Sequence, residues 1–356
     1  MSDIEALRKQ IDGIDAQIVR LLDERAAVAK RIGDWKRDRG QPAFDGGRQR
    51  ELLDNLASHS SGAFPIEGLR NVFTEIMSAC RNMEEATKIC YLGPEATFTH
   101  QAAVDEFGAS GDFIACQSIP DIFDWVEKGR AHYGVAPIEN STGGVVYATL
   151  DRFMQSPLII TAERSAPIEL HLMANCAMSD IRVVYSHPQP FSQCRDWLQL
   201  HLPKARLEEV SSTVRGAELA AQEPGAAAIA GEMAAKKLKL HILQRGIQDV
   251  SDNFTRFWII SRDSAHATGD DKTSILFFIK HRPGALYDIL RHMAECGINL
   301  TKIESRPSRR ARWEYAFFVD LLGHQEDENV KTALARLDDA CEQIRILGSY
   351  PRDRNS

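Results

Sequence analysis

The stretch LLDERAAVAKRIGDWK, residues 21–36, continues a seam of apolar residues that begins at Ile4. The steps along this seam alternate between three and four residues, which is typical of a helix packed along another helix. Arg25 stands where the next apolar residue is due. A permanent charge on a buried seam is costly unless it is paired. No acid occupies the neighbouring seam positions, so a partner chain or a ligand must supply the counter-charge. The seam consists of Ile4, Leu7, Ile11, Ile14, Ile18, Leu21, Val28, Ile32 and Trp35.

The N-terminal region, residues 1–86, is predicted to be entirely helical. One helix should run from about Asp3 to Arg39 and a second from about Arg48 to Ser58, with a third after Pro65. At 1.5 Å per residue the first helix would be roughly 54 Å long. So long a helix cannot bury its apolar stripe within so short a region, and we expect it to pair with another chain.

The bulk composition is that of a soluble globular protein with two or three domains: 356 residues, 44% hydrophobic and 26% charged. A net charge of -7 argues against nucleic-acid binding. The apolar runs are too short to cross a membrane, and the charged N-terminus does not resemble a secretory signal. Seven cysteines without a CxxC pair favour a reducing cytoplasm over disulfides or zinc. We therefore expect a cytoplasmic protein.

Two further regions follow the helical one. Over residues 88–264 short apolar strands alternate with helical stretches, which predicts an α/β domain with a mostly parallel sheet. HATGDDKT, residues 266–273, has the composition of a linker. Residues 272–352 show the order βαββαβ, the α+β ferredoxin-like plan.

Basic residues near the first helix's seam suggest a pocket. Arg25 and Lys36 lie roughly 17 Å apart along the helix axis, but Arg8 and Lys36 lie roughly 42 Å apart. If Arg8 serves the same pocket, it must come from a second subunit with the helix antiparallel. Such a pocket would suit a small dianion, although Arg8 and Lys36 alone would also fit a solvated helix flank.

The segments LRKQIDGIDAQIVRLLDERAAVAKRIGDWK and RQRELL resemble the all-helical chorismate mutase class, whose members are intertwined dimers. The resemblance implies that Arg25 and Arg48 grip the carboxylates of chorismate, with Arg8 supplied by the partner. It also implies that Lys36 donates to the ether oxygen and that Asp45 meets the substrate hydroxyl. The reaction, a Claisen rearrangement to prephenate, requires only a held conformer and stabilisation of charge on the ether oxygen.

Three positions depart from one common form of that pattern. Gln49 stands where a glutamate often occurs, and Cys80 where a serine can occur. Glu84 falls where a glutamine often donates to the ether oxygen. An ionised glutamate cannot donate, so we expect Glu84 to be kept protonated by burial, or mutase activity to fall as it ionises.

Four motifs mark the middle region: GPEATFTHQAA (93–103), GVAPIENSTGG (134–144), YSHPQ (185–189) and NFTRF (253–257). Each alone could be a turn or a helix cap, and Ser186 next to His187 lacks the context of a hydrolase nucleophile. Together they resemble prephenate dehydratase, whose fold is two α/β subdomains, like a periplasmic binding protein, around a cleft. The resemblance implies that Thr255 donates or positions a proton for the departing hydroxyl, with Asn140 and Gln189 as orienting groups.

The same resemblance places Ser141, Thr142 and Gly143 around the dehydratase pocket, and Glu139 is the nearest carboxylate that could assist. Prephenate aromatises by losing carbon dioxide and water, so hydroxyl and amide groups suffice for the chemistry. The sequence contains neither HExxH nor a Cys/His cluster. We therefore expect no metal and no cofactor.

RPGALYDIL (282–290) and NLTKIESRPS (299–308) resemble an ACT domain of the phenylalanine-sensing kind. The resemblance implies an amino-acid site, usually between two chains, with Gly284, Ala285 and Leu286 at a helix start. Glu304 and Ser305 would lie opposite, and L-phenylalanine would be an allosteric inhibitor. A ferredoxin-like domain with a purely structural role is the alternative.

Taken together, the three resemblances imply an enzyme that joins both reactions to a regulatory domain and works as a homodimer or a higher homo-oligomer. Its partners would be chorismate, prephenate and L-phenylalanine, without nucleic acid or membrane. Two alternatives remain open at this point. The helical region could be only a dimerisation arm of a dehydratase, or the whole chain could be a non-catalytic amino-acid sensor.

Overall fold

The structure, a computed structural model, describes residues 3–41, 44–84, 86–279, 282–308 and 314–353. The side chains of Ala57, Glu84 and Asp339 lie outside that description. The chain forms a helical region, an α/β domain of two sheets and a C-terminal α+β domain, in the order that the sequence predicted. Within the described ranges, no helix is long and apolar enough to span a membrane.

Three helices form the N-terminal region: α1 (Asp3–Arg37), α2 (Gly46–His59) and α3 (Ile66–Glu84). Helix α1 packs on α3, and α3 packs on α2. The nine seam residues of α1 are each between 48% and 62% exposed in the single chain. The predicted apolar seam is therefore present on α1, but in the single chain it is exposed to solvent. Among the residues described on α1, Gly33 is the only buried one.

The first subdomain of the α/β domain is a six-stranded sheet in the order β2-β1-β3-β11-β5, with β4 paired to β3. Its strands are β1 (Lys88–Leu92), β2 (Asp112–Cys116), β3 (Tyr133–Asn140), β4 (Gly144–Val145), β5 (Ile159–Pro167) and β11 (Phe254–Ser261). Its helices are α4 (Phe98–Phe107), α5 (Ile119–Glu127) and α6 (Tyr147–Phe153).

The second subdomain is a five-stranded sheet in the order β10-β6-β9-β7-β8. Its strands are β6 (His171–Ala174), β7 (Val183–Ser186), β8 (Arg206–Glu209), β9 (Ala226–Ala230) and β10 (His241–Gln244). Its helices are α7 (Pro188–Gln193), α8 (Arg195–His201), α9 (Thr213–Gln222) and α10 (Glu232–Leu238), with a 3-10 turn at Met178–Asp180.

The prediction of a mostly parallel sheet was wrong. Strand β1 is parallel to β2 and β3, and β7 is parallel to β8 and β9, but the remaining pairs of both sheets are antiparallel. The reason is topological. The chain leaves the first sheet through β5 and returns through β11, and these two strands lie side by side in opposite directions.

The C-terminal domain has the predicted βαββαβ order. Its elements are β12 (Asp271–Ile279), α11 (Ala285–Glu295), β13 (Leu300–Pro307), β14 (Tyr315–Leu322), α12 (Glu328–Ala340) and β15 (Cys341–Pro351). The antiparallel sheet runs β13-β14-β12-β15. Strand β12 already begins inside HATGDDKT, and the Asp271 carboxylate accepts hydrogen bonds from the backbone of Thr268 and Gly269 at 2.8 and 3.0 Å. The linker is therefore shorter than predicted.

The C-terminal sheet is not a free appendage. One of its faces packs on α11 and α12, and the other shares a hydrophobic core with the first subdomain. In that shared core Phe318 and Tyr350 of the C-terminal domain join Phe153 and Trp258 of the α/β domain. The C-terminal domain, for which a regulatory role was predicted, therefore packs directly on the sheet that contains β3 and β11.

Candidate active sites

A cavity of about 140 Å³ lies among the three N-terminal helices. Arg25 of α1 lines this cavity, with its Nη1 3.2 Å from Sγ of Cys80 on α3. The cavity combines four cationic side chains with one carboxylate, that of Asp45, so it suits an anionic ligand. It brings together six predicted residues and five others: Arg25, Lys36, Asp45, Arg48, Gln49 and Cys80, with Ala29, Ile32, Leu52, Met77 and Arg81.

Gln49 and Arg81 join this cavity to the α/β domain. The Gln49 Nε2 donates to the backbone carbonyl of Glu106 at 2.8 Å, and its Oε1 accepts from Arg81 Nη1 at 2.8 Å. Arg81 Nη2 also donates to the carbonyl of Phe107 at 2.7 Å. Gln49 lines the cavity, but its amide is held by these neighbours. Arg81 was missed because nothing in the α3 pattern distinguishes it from an exposed arginine.

Two residues predicted for this site, Arg8 and Glu84, are not among the described residues that line the cavity. Arg8 is exposed near the start of α1 and does not line the cavity, as the helix geometry required. Glu84 ends α3, but its side chain is outside the described residues. The roles of both residues stay predictions.

A second cavity, of about 250 Å³, lies in the cleft between the two subdomains. It is lined by the three residues predicted for dehydration, Asn140, Gln189 and Thr255. Asn140 ends β3, and Thr255 lies directly opposite it on β11. Gln189 comes from the first turn of α7 in the other subdomain. The cleft therefore assembles residues from both sheets.

Hydrogen bonds fix the orientation of the Asn140 amide. Its Oδ1 accepts from the backbone N–H of Gly143 at 2.7 Å and of Thr142 at 3.1 Å, and a backbone N–H can only donate. Its Nδ2 therefore faces Oγ1 of Thr255, at 2.9 Å, and donates to it. Because that oxygen is already accepting, the Thr255 hydroxyl hydrogen is available for donation toward the cleft.

The loop after β3 closes one side of the cleft. Thr142 and Gly143 line an adjoining cavity of about 240 Å³ together with Gln189. A Cβ on Gly143 would lie 2.9 Å from Gln189 Nε2, so a larger residue there would displace the Gln189 amide. Ser141 is used differently: its Oγ donates to the carbonyl of Asp252 and accepts from the N–H of Phe254. These two hydrogen bonds hold the loop after β3 against the segment that precedes β11.

Two helices begin at the cleft. Thr97 caps α4 by accepting from the N–H of His100, and Ser212 caps α9 by accepting from the N–H of Arg215. The unpaired N–H groups of such helix starts favour anions. None of the described residues that line this cavity is a lysine or an arginine. Ser212 was not singled out in advance, although Ser-Ser-Thr before a helical stretch is a capping pattern.

Glu139 and Ser186 do not face the cleft as nucleophile or acid. Glu139 Oε2 accepts from Nζ of Lys302 in the C-terminal domain at 2.6 Å. Ser186 is buried and donates to the carbonyl of Ile229 at 2.8 Å. The geometry therefore offers no carboxylate from Glu139 to the dehydratase cleft.

The predicted amino-acid site lies around the start of α11. Gly284 precedes the helix with φ of 79°, Ala285 is buried and Leu286 packs at the edge of the core. Ser305 lies opposite Phe317, on the helix side of the sheet. Glu304 is on the other face of β13, where its neighbours Lys302 and Arg306 form ion pairs with Glu139 and Asp151. The structure therefore places Glu304 and Ser305 on opposite faces of β13.

Comparison with known families agrees with this division of the chain. Residues 7–85 match the family of type II chorismate mutases, residues 89–265 match prephenate dehydratase, and residues 273–339 match the ACT domain. The fold and its two cavities thus define a multidomain enzyme with a regulatory domain.

Relatives match over the whole length. A bifunctional chorismate mutase/prephenate dehydratase of Aquifex aeolicus (strain VF5) is 47% identical over 99% of both chains. One of Neisseria gonorrhoeae (strain ATCC 700825 / FA 1090) is 40% identical over 97% of this chain and 96% of that protein. A crystal structure of prephenate dehydratase in complex with L-Phe from Arthrobacter aurescens has a TM-score of 0.71 and 36% identity, and covers 76% of this chain and 92% of that chain. The chain belongs to the bifunctional chorismate mutase/prephenate dehydratase family.

Proposed function

We propose that this chain rearranges chorismate to prephenate in the helical cavity and converts prephenate to phenylpyruvate in the cleft between the subdomains. L-Phenylalanine binds the C-terminal domain and inhibits. The observation that carries the proposal is the pairing of two unlike cavities in one chain. One is rich in cations, and the other is built from hydroxyls, amides and helix starts.

In the mutase step, Arg25 and Arg48 hold the carboxylates of chorismate and Lys36 donates to the ether oxygen. Asp45 meets the substrate hydroxyl. Such fixed cations favour the folded conformer and stabilise the charge that grows on the ether oxygen as the C–O bond breaks. Support comes from the position of Arg25, which has a thiol partner in Cys80 and needs an anion.

A second copy of the chain completes that cavity with Arg8. The support is the α1 seam, whose nine apolar residues are about half exposed in the single chain. Covering such a stripe by an antiparallel copy would stabilise it by hydrophobic burial. It would also bring Arg8 of the second copy toward Lys36 of the first. We propose a homodimer, in the reducing cytoplasm that suits seven free thiols.

In the dehydratase step, the bond from the ring to its carboxylate breaks and carbon dioxide leaves. The released electron pair forms a ring double bond, and the hydroxyl on the opposite ring carbon departs as water after gaining a proton. Thr255 donates that proton or positions its donor, because its oxygen accepts from Asn140 and its hydrogen is available. Gln189 orients the substrate from the other subdomain.

Both carboxylates of prephenate find donors in this cleft without a full counter-charge. The starts of α4 and α9 offer backbone N–H groups from opposite subdomains. Closure of the two subdomains on the substrate would then bring Gln189 toward Thr255.

For inhibition, we propose that L-phenylalanine binds at the start of α11, with Gly284, Ala285 and Leu286 on one side and Ser305 on the other. The relative from Arthrobacter aurescens, which was crystallised in complex with L-Phe, supports an amino-acid site in this family. Glu304 would reach the ammonium group only after a change at β13, or from a second copy.

A paired assay tests these proposals. Chorismate loss is followed in the ultraviolet and phenylpyruvate formation is measured in the same preparation, with and without L-phenylalanine. We expect Arg25→Ala to lose only the first activity and Thr255→Ala only the second. If the wild type consumes no chorismate, the helical region is a dimerisation arm; if it forms no phenylpyruvate either, the chain is a sensor.

A further inference from the structure

The two strands that hold the cleft residues also present an outward pair of charges. Asn140 and Thr255, hereafter the cleft pair, lie directly opposite each other on β3 and β11. The next residues along the strands, Glu139 and Arg256, also lie opposite each other. Successive side chains of a strand point to opposite faces, so this second pair faces away from the cleft. A register shift after Arg256, which leaves Ile138 without a direct partner, marks a β-bulge at this place.

The C-terminal domain meets the outward pair with two complementary charges. Lys302 Nζ lies 2.6 Å from Glu139 Oε2, and Arg256 Nη2 lies 2.5 Å from Asp320 Oδ2. Lys302 and Asp320 are themselves directly opposite on β13 and β14. We call these four residues the clamp: one cross-strand pair of the dehydratase sheet bound by one cross-strand pair of the regulatory sheet.

The Arg256 half of the clamp is deeply buried and has further partners. The exposed fractions of the Arg256 and Asp320 side chains are 11% and 3%. Asp320 also accepts from Ser274 Oγ at 2.6 Å. Arg256 also faces Glu163, whose carboxylate binds Lys272 Nζ at 2.7 Å. Burial alone would raise the pKa of Asp320, but Arg256 and Ser274 hold it below its usual value. Because these charges are buried, salt screens their attraction little, and removing one partner leaves an uncompensated buried charge.

We propose that Arg256 and Glu139 are positioning residues for the dehydratase reaction, and that the clamp is the route by which the C-terminal domain controls the cleft pair. The inference rests on the proposed dehydratase function. Each clamp residue of the dehydratase sheet is bonded through one peptide unit to a member of the cleft pair. A displacement of β13 or β14 would therefore be passed directly to the hydroxyl and the amide that face prephenate. Misplacement by about 1 Å can lower a rate about 100-fold.

The test compares variants within one bifunctional preparation, so that mutase activity reports on folding. We expect Arg256→Gln to lower dehydratase kcat by roughly 10- to 100-fold with a smaller change in KM, while the mutase rate is unchanged. Arg256→Lys should recover part of the loss. The double variant Arg256→Gln with Asp320→Asn should also recover part, because it leaves no unpaired buried charge. Wild-type phenylpyruvate formation, measured alongside, tests the underlying dehydratase function separately.

Arg306 provides a matched control. It joins the same two domains through an ion pair with Asp151 on α6, at 2.7 Å and with a side chain 20% exposed. Its guanidinium also lies over the Tyr147 ring, so both of these described partners are on α6 and not on β3 or β11. Arg306→Gln should keep a dehydratase kcat near that of the wild type. If Arg306→Gln lowers kcat as far as Arg256→Gln does, the clamp is only one of several structural contacts and the proposal is wrong.

Lys302→Gln tests whether the clamp carries inhibition by L-phenylalanine. It also replaces the Arg256 variants if these fail to fold, because Glu139, the partner of Lys302, is 38% exposed and tolerates the loss of its ion pair better. Calorimetry should show L-phenylalanine binding close to that of the wild type, while the concentration for half-inhibition of the dehydratase rises by about 10-fold or more. Unchanged inhibition in Lys302→Gln, at unchanged binding, would overturn the proposed route. A parallel loss of binding and inhibition would overturn it as well, since the defect would then lie at the amino-acid site.

Discussion

The substitution Asn140→Asp tests the direction of the hydrogen bond at the centre of the dehydratase cleft. The two side chains have nearly the same shape, so the acceptor side, which binds the N–H of Gly143, is kept. On the other side an N–H donor becomes an oxygen. This new oxygen would take the place of Nδ2, which now lies 2.9 Å from Thr255 Oγ1, 3.0 Å from Asn253 Oδ1 and 3.1 Å from the Phe254 carbonyl oxygen.

The expected loss follows from this geometry. An ionised carboxylate can only accept, so the Thr255 hydroxyl would turn and donate to it, and its hydrogen would leave the cleft. General acid assistance contributes about 10²- to 10⁴-fold to a rate, or roughly 2.7–5.5 kcal/mol. We therefore expect kcat for phenylpyruvate formation to fall by about 100-fold or more above neutral pH, with the mutase rate unchanged.

The pH profile makes this prediction specific. Burial should raise the pKa of the new carboxyl, because the charged form loses solvation and faces two further acceptor oxygens, with only the Thr255 hydroxyl to donate on that side. Its protonated form can again donate to Thr255, so activity should recover partly as the pH falls. Stability should decrease as the pH rises from about 3.9 through the raised folded value, since the unfolded chain releases this proton first.

The assay measures phenylpyruvate formation by Asn140→Asp and wild type between about pH 5 and pH 9, because a pH–rate profile reports the pKa values of the groups that take part. Thr255→Ser, which keeps the hydroxyl, serves as the control and should retain most of its activity. A kcat for Asn140→Asp within about threefold of the wild type above neutral pH would refute the argument, because a cost of at least about 100-fold follows from it.

Four further predictions concern single residues. Arg25→Ala should lower mutase kcat/KM by roughly 30-fold or more, the cost of removing a buried charge partner, and leave dehydratase activity intact; both are read in the paired assay. Gly143→Ala should lower dehydratase kcat roughly 10- to 100-fold, because its Cβ would lie 2.9 Å from Gln189 Nε2. Burial raises the pKa of Glu106 despite Arg164, so stability falls as the pH rises from about 4.3 through the folded value; denaturant unfolding of Glu106→Gln should lack this dependence. The mutase pH–rate profile should lose its alkaline limb in Glu84→Gln, and an identical limb in both proteins would exclude the proposed role of Glu84.

The features that the sequence could predict are those with local causes. The three-four spacing of α1 specifies a helix and its apolar face, and Arg25 stood out because it interrupts that spacing. The structure then places Arg25 against Cys80 in a cationic cavity. The βαββαβ order of the last domain followed in the same way from the lengths and patterns of its segments.

The features that the sequence could not predict depend on distant pairing. Asn140 and Thr255 are 115 residues apart, and their contact depends on β11 returning beside β3 in the opposite direction. The same return explains why the expected parallel sheet is mixed. Gln49 shows the same limit of sequence-based prediction within a single site. Its sequence neighbours predict its place at the cavity of the helical region, but they do not predict its hydrogen-bond partner, the carbonyl of Glu106, which belongs to another domain.

The contrast between the two cavities follows from the chemistry that each must perform on closely related dianions. A Claisen rearrangement keeps both carboxylates and builds negative charge on the ether oxygen, so a cation beside that oxygen, the role proposed for Lys36, would stabilise the transition state more than the ground state.

Dehydration of prephenate has the opposite requirement, because one carboxylate must surrender its charge as carbon dioxide departs. An arginine bound to that carboxylate would stabilise the ground state and raise the barrier. The described lining of the cleft has hydroxyls, amides and two helix starts but neither lysine nor arginine, so in the proposed reaction it would bind the dianion without opposing that loss. Thr99 on α4 lines the cleft, so Thr99→Lys would introduce a cation there; it should tighten prephenate binding yet lower kcat. A variant that raised both affinity and kcat would show that charge loss is not what limits the reaction.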